Sequence, residues 1–383
     1  MQAIAISFLD VVSVRDGRAF EAGGATLARA LWPLPQWTVL GAIRALFIRA
    51  LGLDPSVYGG RGWTDGPPDA YRSAIELLGE PDKEPNFTIG PILVRTKRHA
   101  AKHEEYLYPT PADLYLDSNS EVCRLKILPS SQVINEGFIF GFDYKYCALP
   151  PAGKRPSKKD MPNYVSSNQA ETWLQGKVPT FEQFQDICVH ERRIGICIDS
   201  AKGTVKEGMF YLRKGIALKD GFDLVVPIID EGKAREAIQC LEKHEFVGEL
   251  GGDRHLARFS LLKGFSFPKY QAYEKKAVLW FLSPVQVKDI TSENLSKVCG
   301  HDVRVLTVVA RRPVRIGGWR MARTKGESAP RPMRLYHPSG TCVYIEVDEL
   351  EALSGLHGIS VASDPEERAS GFGVCLVGDF PRE

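Results

Sequence analysis

Several features are scarce or missing in this 383-residue chain, and each absence removes a class of function. No uninterrupted apolar run reaches the roughly 20 residues that a membrane-spanning helix needs. The most helical apolar segment, TVLGAIRALFIRALGL, is broken by Arg44 and Arg49. The N-terminus, MQAIAISFLD, has no basic leader and meets Asp10 early, so it reads as a strand and not as a signal peptide. Charge of one sign is not in excess: the formal net charge is +2. A globally basic, histone-like character is thereby excluded, and any contact with nucleic acid must come from local patches. None of the eight cysteines (Cys123, Cys147, Cys188, Cys197, Cys240, Cys299, Cys342 and Cys375) stands in a C-x-x-C pair. Zinc-ribbon and thioredoxin-like chemistries lose their support, and the thiols read as small hydrophobes of a reducing, cytoplasmic protein.

Catalytic signatures are equally thin. There is no P-loop, no G-x-S-x-G and no spaced set of carboxylates for two metals. His99 and His103 share an i, i+4 spacing, but Ala100, Ala101 and Lys102 stand between them, so H-E-x-x-H is absent. His190, His255 and the His301-Asp302 pair are isolated. Metal-free RNA cleavage needs a positioned general base and acid, and none of these histidines has an evident partner. No metal, no cofactor and no catalytic residue is expected.

What is present is an ordinary globular composition, 44% hydrophobic and 25% charged, over a length that suits two domains. Residues 2–9 alternate as a strand. Val39, Leu40, Ile43, Leu46, Phe47, Ala50 and Leu51 recur at helical spacing and predict a helix over 36–51. Gly41 inside it suggests close approach by another backbone or a ligand. A short helix is expected near 70–78. IGPILVRTKRHAAKHEEYLYPTPADLYL turns basic between apolar ends and reads as a protruding loop. YCALPPAGKRPSKKDMPNY is a second basic loop and a candidate linker. From His190 onward, strand, turn and strand alternate, with hairpin signals at Lys219-Asp220-Gly221 and around Ser339-Gly340. A helix in EGKAREAIQCLEKHEF and strands in ARFSLLKGF, KAVLWFLS, VRVLTVVAR and GFGVCLVGDF complete the pattern. It suits an α+β protein of ferredoxin or RRM type better than a doubly wound parallel sheet.

The most distinctive stretch is RRPVRIGGWRMARTKG, from Arg311 to Gly326. It gathers Arg311, Arg312, Arg315, Arg320, Arg323 and Lys325 without one acidic residue. Gly317 and Gly318 let backbone approach a phosphate, arginines neutralise it, and Trp319 offers a face to an unpaired base. Together they describe a single-stranded RNA contact better than a duplex reader. The plainer reading is a solvated hairpin with Trp319 as a core anchor. ELGGDRHLARF repeats the theme with Gly251, Gly252 and Arg254.

In order and spacing, SVRDGRAFEAGG, PLPQWTVLGAIRALFIRALG, IGPILV…YLYPTPADLYL, RIGICIDSAKGTVKEGMFYL, ELGGDRHLARF, PSGTCVYIEV and GFGVCLVGDF resemble the third subunit of the type III-B CRISPR RAMP effector, the Cmr complex. The likeness spans almost the whole chain. The sister subunit of the type III-A complex is the nearest rival. The resemblance implies two ferredoxin-like, RRM-related domains with long inserted loops, placed at 1–186 and 187–383. It implies a non-catalytic role: holding the 5′ tag of the guide RNA beside the large polymerase-like subunit, starting the backbone RAMP filament, and meeting target RNA only indirectly. A protruding β-loop in such subunits can act as a thumb. By motif match, Arg15 and Arg18 fall on the family's first basic loop, Gly41 and Arg44 on its first helix, and Gly251, Gly252 and Arg254 on its double-glycine loop. Ala19 stands where the family often has proline, and Gln36-Trp37 precede Thr38 where it often opens the helix with a small hydroxyl residue. A RAMP-type endoribonuclease using His190 or His255, and a protein-only scaffold, remain the alternatives.

Overall fold

Alternation at the N-terminus becomes strand β1 (Ala3–Phe8), and the helical period becomes α1 (Gln36–Ala50). In chain order there follow β2 (Thr88–Ile89), β3 (Cys188–Asp199), β4 (Thr204–Leu218), β5 (Phe222–Asp230), α2 (Arg235–Leu241), β6 (Phe246–Glu249) and β7 (Leu256–Leu262). The remainder supplies β8 (Lys276–Phe281), α3 (Ser292–Cys299), β9 (Val303–Val309), β10 (Val314–Arg320), β11 (Ala329–Tyr336), β12 (Cys342–Val347), α4 (Glu351–Leu356) and β13 (Cys375–Asp379). The short helix expected near 70–78 spans Asp69–Leu78. This computed structural model describes residues 1–14, 27–28, 30–59, 66–81, 83–97, 105–131, 146–181, 186–242, 245–251, 254–320 and 329–381. Arg15, Arg18, His99, His103, Gly252, Arg323 and Lys325 lie outside them.

The chain divides into two units, each drawn from three segments. The first holds Met1–Ile92, Asp186–Phe265 and Arg315–Leu335; the second holds Leu93–Gln185, Ser266–Val314 and Tyr336–Glu383. Both units therefore draw on residues from either side of 186. The change of texture near His190 is the start of the long hairpin β3–β4, whose strands pair from Cys188↔Leu218 to Asp199↔Thr204.

In the first unit β1 is central. It pairs antiparallel with β5 (Ala3↔Pro227) on one side and β7 (Ala3↔Leu262) on the other; β2 joins β5, and β6 joins β7. In the second unit the order is β9-β12-β8-β13, again all antiparallel. The two sheets share one core connectivity, strand, helix, strand, insertion, strand, helix, strand, to which the first adds β6 ahead of its last strand. Residues 90–221 fill the gap in the first, and residues 310–341 fill it in the second.

The second sheet is covered on both faces, as is β1 of the first, whereas β6 and β7 keep Val247, Glu249, Leu256 and Arg258 exposed on one side. Ala3, Ile4, Ala5 and Ile6 are all buried, so both sides of β1 are covered. In the second unit Ala277, Leu279, Phe281, Val343, Ile345 and Val377 pack with Leu295 of α3 and Leu353 and Leu356 of α4. The alternate residues on the other side are buried as well. Trp280 donates its indole N–H to the Pro109 carbonyl (3.1 Å), and Tyr344 donates its hydroxyl to Asp113 Oδ2 (2.6 Å). Asp113 also accepts from Arg124 Nε (2.6 Å) and Trp173 Nε1 (2.9 Å), and the guanidinium lies 4.3 Å from the Trp173 ring centre. Burial opposes charge on Arg124, but adjacent Asp113 holds its pKa above the ordinary value. Burial first, then Asp113, raises that of Tyr344.

Two turns read as hairpins reverse the chain without pairing their flanks. After Lys219-Asp220-Gly221, β4 pairs β3 whereas β5 pairs β1 and β2. After Ser339-Gly340, β11 pairs β10 whereas β12 lies between β9 and β8. Turn chemistry fixes a reversal locally; the strands choose partners by burial. The segments read as loop and linker are also more engaged than expected. Arg95 sits buried in a strand, Leu93–Thr96, that pairs with Glu105–Pro109. Lys154 is paired with Asp117 (3.0 Å) and with Glu121. Among the described residues no helix is long and apolar enough to cross a membrane.

Candidate nucleic-acid interface

Where the sheet faces are covered, cations are presented by edges and insertions. The insertion of the second sheet is a two-stranded ribbon, β10 with β11. Arg311, Arg312 and Arg315 are exposed on its approach and first strand, and Arg334 on its return strand. Gly317 is buried. Trp319 and Arg320 have their backbone in β10, and their side chains lie outside the described residues.

Gly318 lies beside the Arg331 and Trp37 side chains, with room for a Cβ at ordinary contact distance. A Cβ there would stand 3.5 Å from Arg331 Cδ and 3.8 Å from Trp37 Cδ1. The Arg331 guanidinium carbon lies 4.2 Å from the centre of the Trp37 ring. Such a cation–π contact contributes roughly 0.5–2 kcal/mol and holds the guanidinium flat. Sequence reading singled out neither Trp37 nor Arg331. Trp37 precedes the helical stripe, and Arg331 lies between Pro330 and Pro332, past the end of the glycine-arginine run.

Trp37 opens the second residue of α1, one helical turn before Gly41 and on the same face. Gly41 is exposed, and no described atom beyond the helix's own backbone comes within 4 Å of where its Cβ would be. The expected approach of another backbone is therefore not found. A mid-helix glycine costs roughly 1 kcal/mol relative to alanine, and among the described residues none packs against it.

Arg44 is not available to RNA. It is buried and donates to the carbonyls of Glu80 (3.3 Å), Pro81 (2.9 Å) and Lys83 (3.0 Å). Its long stem carries a charge from a helix interior position to three loop acceptors, which helical spacing alone does not reveal. Gly251 is also structural. Its φ is +79°, and a Cβ would meet Val14 Cγ2 at 3.0 Å. Arg254, at φ +57°, is exposed on the same loop.

His255 is buried, with Nδ1 3.7 Å from Asp10 Oδ2 and Nε2 against Arg213. Asp10 is held below the usual carboxylate range chiefly by the Val11 N–H, with Arg193 and His255 adding to it. Both ring nitrogens of His255 face protein groups, an arrangement that braces the double-glycine loop. His190 is exposed on β3 opposite Ile216. His301 and Asp302 line a shallow depression of about 510 Å³ with Ser296, Lys297 and Asp348.

Beside this geometry stands a match of nearly the whole sequence to a known family. The model of the CRISPR-associated protein family Cas_Cmr3 matches residues 4–380. The chain belongs to that family. The likeness read from the sequence to the third subunit of the type III-B RAMP effector thus holds over nearly the whole chain. No curated protein sequence matches. Among solved structures, a chain of the type III-B Cmr-beta complex bound to cognate target RNA and AMPPnP is 18% identical, with a TM-score of 0.44 over 89% of this chain and 86% of that one. A chain of the Csm3–Csm4 subcomplex of the type III-A interference complex is 12% identical, with a TM-score of 0.37 over 90% of this chain and 92% of that one.

Proposed function

We propose that this Cas_Cmr3 protein is a non-catalytic RNA-binding subunit of a cytoplasmic type III-B CRISPR effector in antiviral defence. It holds the 5′ tag of the guide RNA and bridges the large polymerase-like subunit to the backbone filament. Each unit would be a ferredoxin-like domain: the outer-to-inner order in which the fourth strand flanks the first, and the third separates the first from the second, supports that assignment in both sheets. The observation that carries the RNA reading is the acid-free run Arg311–Gly326, which presents Arg311, Arg312 and Arg315 at the surface of an insertion. Phosphate contacts from such a patch give affinity and register, and base edges give specificity.

The test is a filter-binding titration of guide RNA against the full chain at several salt concentrations. Replacing Arg315, Arg320 and Arg323 together with Ala should weaken binding and flatten the dependence of log K on log salt by roughly 2. An unchanged slope removes the ribbon from the interface. Cleavage of repeat RNA in EDTA that vanishes in His190→Ala or His255→Ala would replace this reading with the nuclease one.

A further inference from the structure

We propose that the outer edge of β3 is a self-association surface, on which a second copy of this chain pairs antiparallel about a two-fold axis at Ile196. The proposal stands on the β3–β4 hairpin alone and does not depend on the RNA reading. Among the described residues β3 pairs only with β4, and β4 takes Leu27 and Ala28 on its far side, so β3 is an edge strand. An edge of 12 residues presents backbone N–H and C=O groups to any other strand, and proteins usually blunt such edges with charge, proline or short length. The outer half of β3 does the reverse. Ile194, Ile196 and Ile198 recur at the period of one strand face and are 67%, 49% and 59% exposed; Val205, opposite Ile198, is 49% exposed. β-Branched side chains of this kind gain from a second strand beside them.

The edge is self-complementary in one register. With Ile196 opposite Ile196 of the second copy, Ile194 meets Ile198 and Arg193 meets Asp199, each twice by symmetry. The isoleucines fall on one face and the ion pairs on the other. Arg193 is held in its own chain by Glu191 (2.6 Å) and Asp10 (3.3 Å), yet its side chain is 46% exposed and can reach a third acid. Asp199 is partly exposed, with Oδ1 accepting from the Ala201 N–H (2.9 Å). Neighbouring registers lose these matches. An axis at Gly195 sets Glu191 against Asp199, and an axis at Cys197 sets Arg192 against Lys202.

Sedimentation of the full chain, treated with RNase and freed of RNA, tests this. Between about 1 and about 100 µM the weight-average mass should climb from one chain toward two. Ile196→Lys places two like charges at the axis and should weaken the dimer about tenfold or more, and Asp199→Asn, which keeps the turn acceptor, about threefold. Both side chains reach solvent, so the melting temperature of the dilute variants should match the parent. A cross-link fixes the register. In a Cys197→Ser background and with a mild oxidant, Ile196→Cys should join two copies, because opposed Cα atoms of antiparallel strands lie about 4.5–5.5 Å apart. Ile194→Cys, more than about 12 Å from its own counterpart in that register, should not. A chain that stays monomeric throughout, or a dimer that Ile196→Lys leaves intact, overturns the proposal. Doubling of mass without the Ile196→Cys cross-link moves the contact off this edge and overturns it too. A dimer that forms only when RNA is added back assigns the hairpin to nucleic acid instead. The salt slope of the ribbon is a separate measurement that none of these outcomes moves.

Discussion

The two sheets have the same core connectivity, yet the insertions between their second and third strands meet opposite fates. Residues 93–185, from the first insertion, cover the second unit's sheet with buried, hydrogen-bonded groups. The second insertion keeps Arg311, Arg312, Arg315 and Arg334 at the surface. Both stretches contain basic runs with glycine or proline, and acid content distinguishes them. The first carries Asp113, Asp117 and Glu121, which take up Arg124 and Lys154 at 2.6 and 3.0 Å for the two aspartates. Arg311–Gly326 carries no acid at all. The cations that fold into the second unit have their counter-charges within the same insertion.

The comparison breaks most readily at Asp113. Asp113→Ala leaves the Arg124 guanidinium, the Trp173 N–H and the Tyr344 hydroxyl buried without their shared acceptor. Removing one partner of a buried ion pair costs about 3–5 kcal/mol. Hydrogen-exchange mass spectrometry should show lost protection in β8, β12 and β13, with β1, β5 and β7 much less affected. Uniform loss across both sheets would mean that the cover acts on the whole chain and not on its own unit.

Arg44 sharpens the same contrast inside the first unit. Arg44→Ala strands the carbonyls of Glu80, Pro81 and Lys83, for a loss of roughly 1–3 kcal/mol by urea denaturation. RNA affinity should stay within about twofold of the parent, since the group faces inward. A tenfold loss of affinity with unchanged stability would return Arg44 to the interface.

Much of the framework was legible because periodicity is local. The alternation at 2–9, the stripe of α1, the helix at 69–78 and the Gly-spaced final strand all appear where the pattern puts them. Partner choice was not legible. Asp220-Gly221 and Ser339-Gly340 specify turns, but nothing in four residues says that the strands on either side join different neighbours. Trp37 and Arg331 were missed for the same reason: nearly 300 residues of sequence separate a ring from the guanidinium that stacks on it. The family likeness, carried by ordered segments across the chain, held where single motifs did not. It placed Arg44 on an RNA-facing helix; the helix is there, and the side chain points to a loop.

The smallest expected effect concerns protons and again falls in the covered second unit. His357 accepts from the Val377 N–H at Nδ1 (3.1 Å), and its Nε2 meets the Pro268 carbonyl (2.9 Å), so the ring is held as the neutral Nε2–H tautomer. Burial pushes its pKa below the ordinary histidine value, with the two backbone contacts only partly opposing. The unfolded chain, titrating near the usual value of about 6.5, therefore binds the proton more tightly than the folded one. Stability from this ring is fully present above about pH 6.5 and is lost as pH falls through the lower folded value. Protonation removes the acceptor for Val377, so β13 should lose exchange protection on going from about pH 7.5 to about pH 5.5. His357→Gln retains one donor and one acceptor without a titrating group, and should flatten that dependence while leaving protection at the higher pH nearly unchanged. If β13 loosens equally in parent and variant, the acid response belongs to another group, and half-buried His337, whose pKa burial also lowers, is the next to replace.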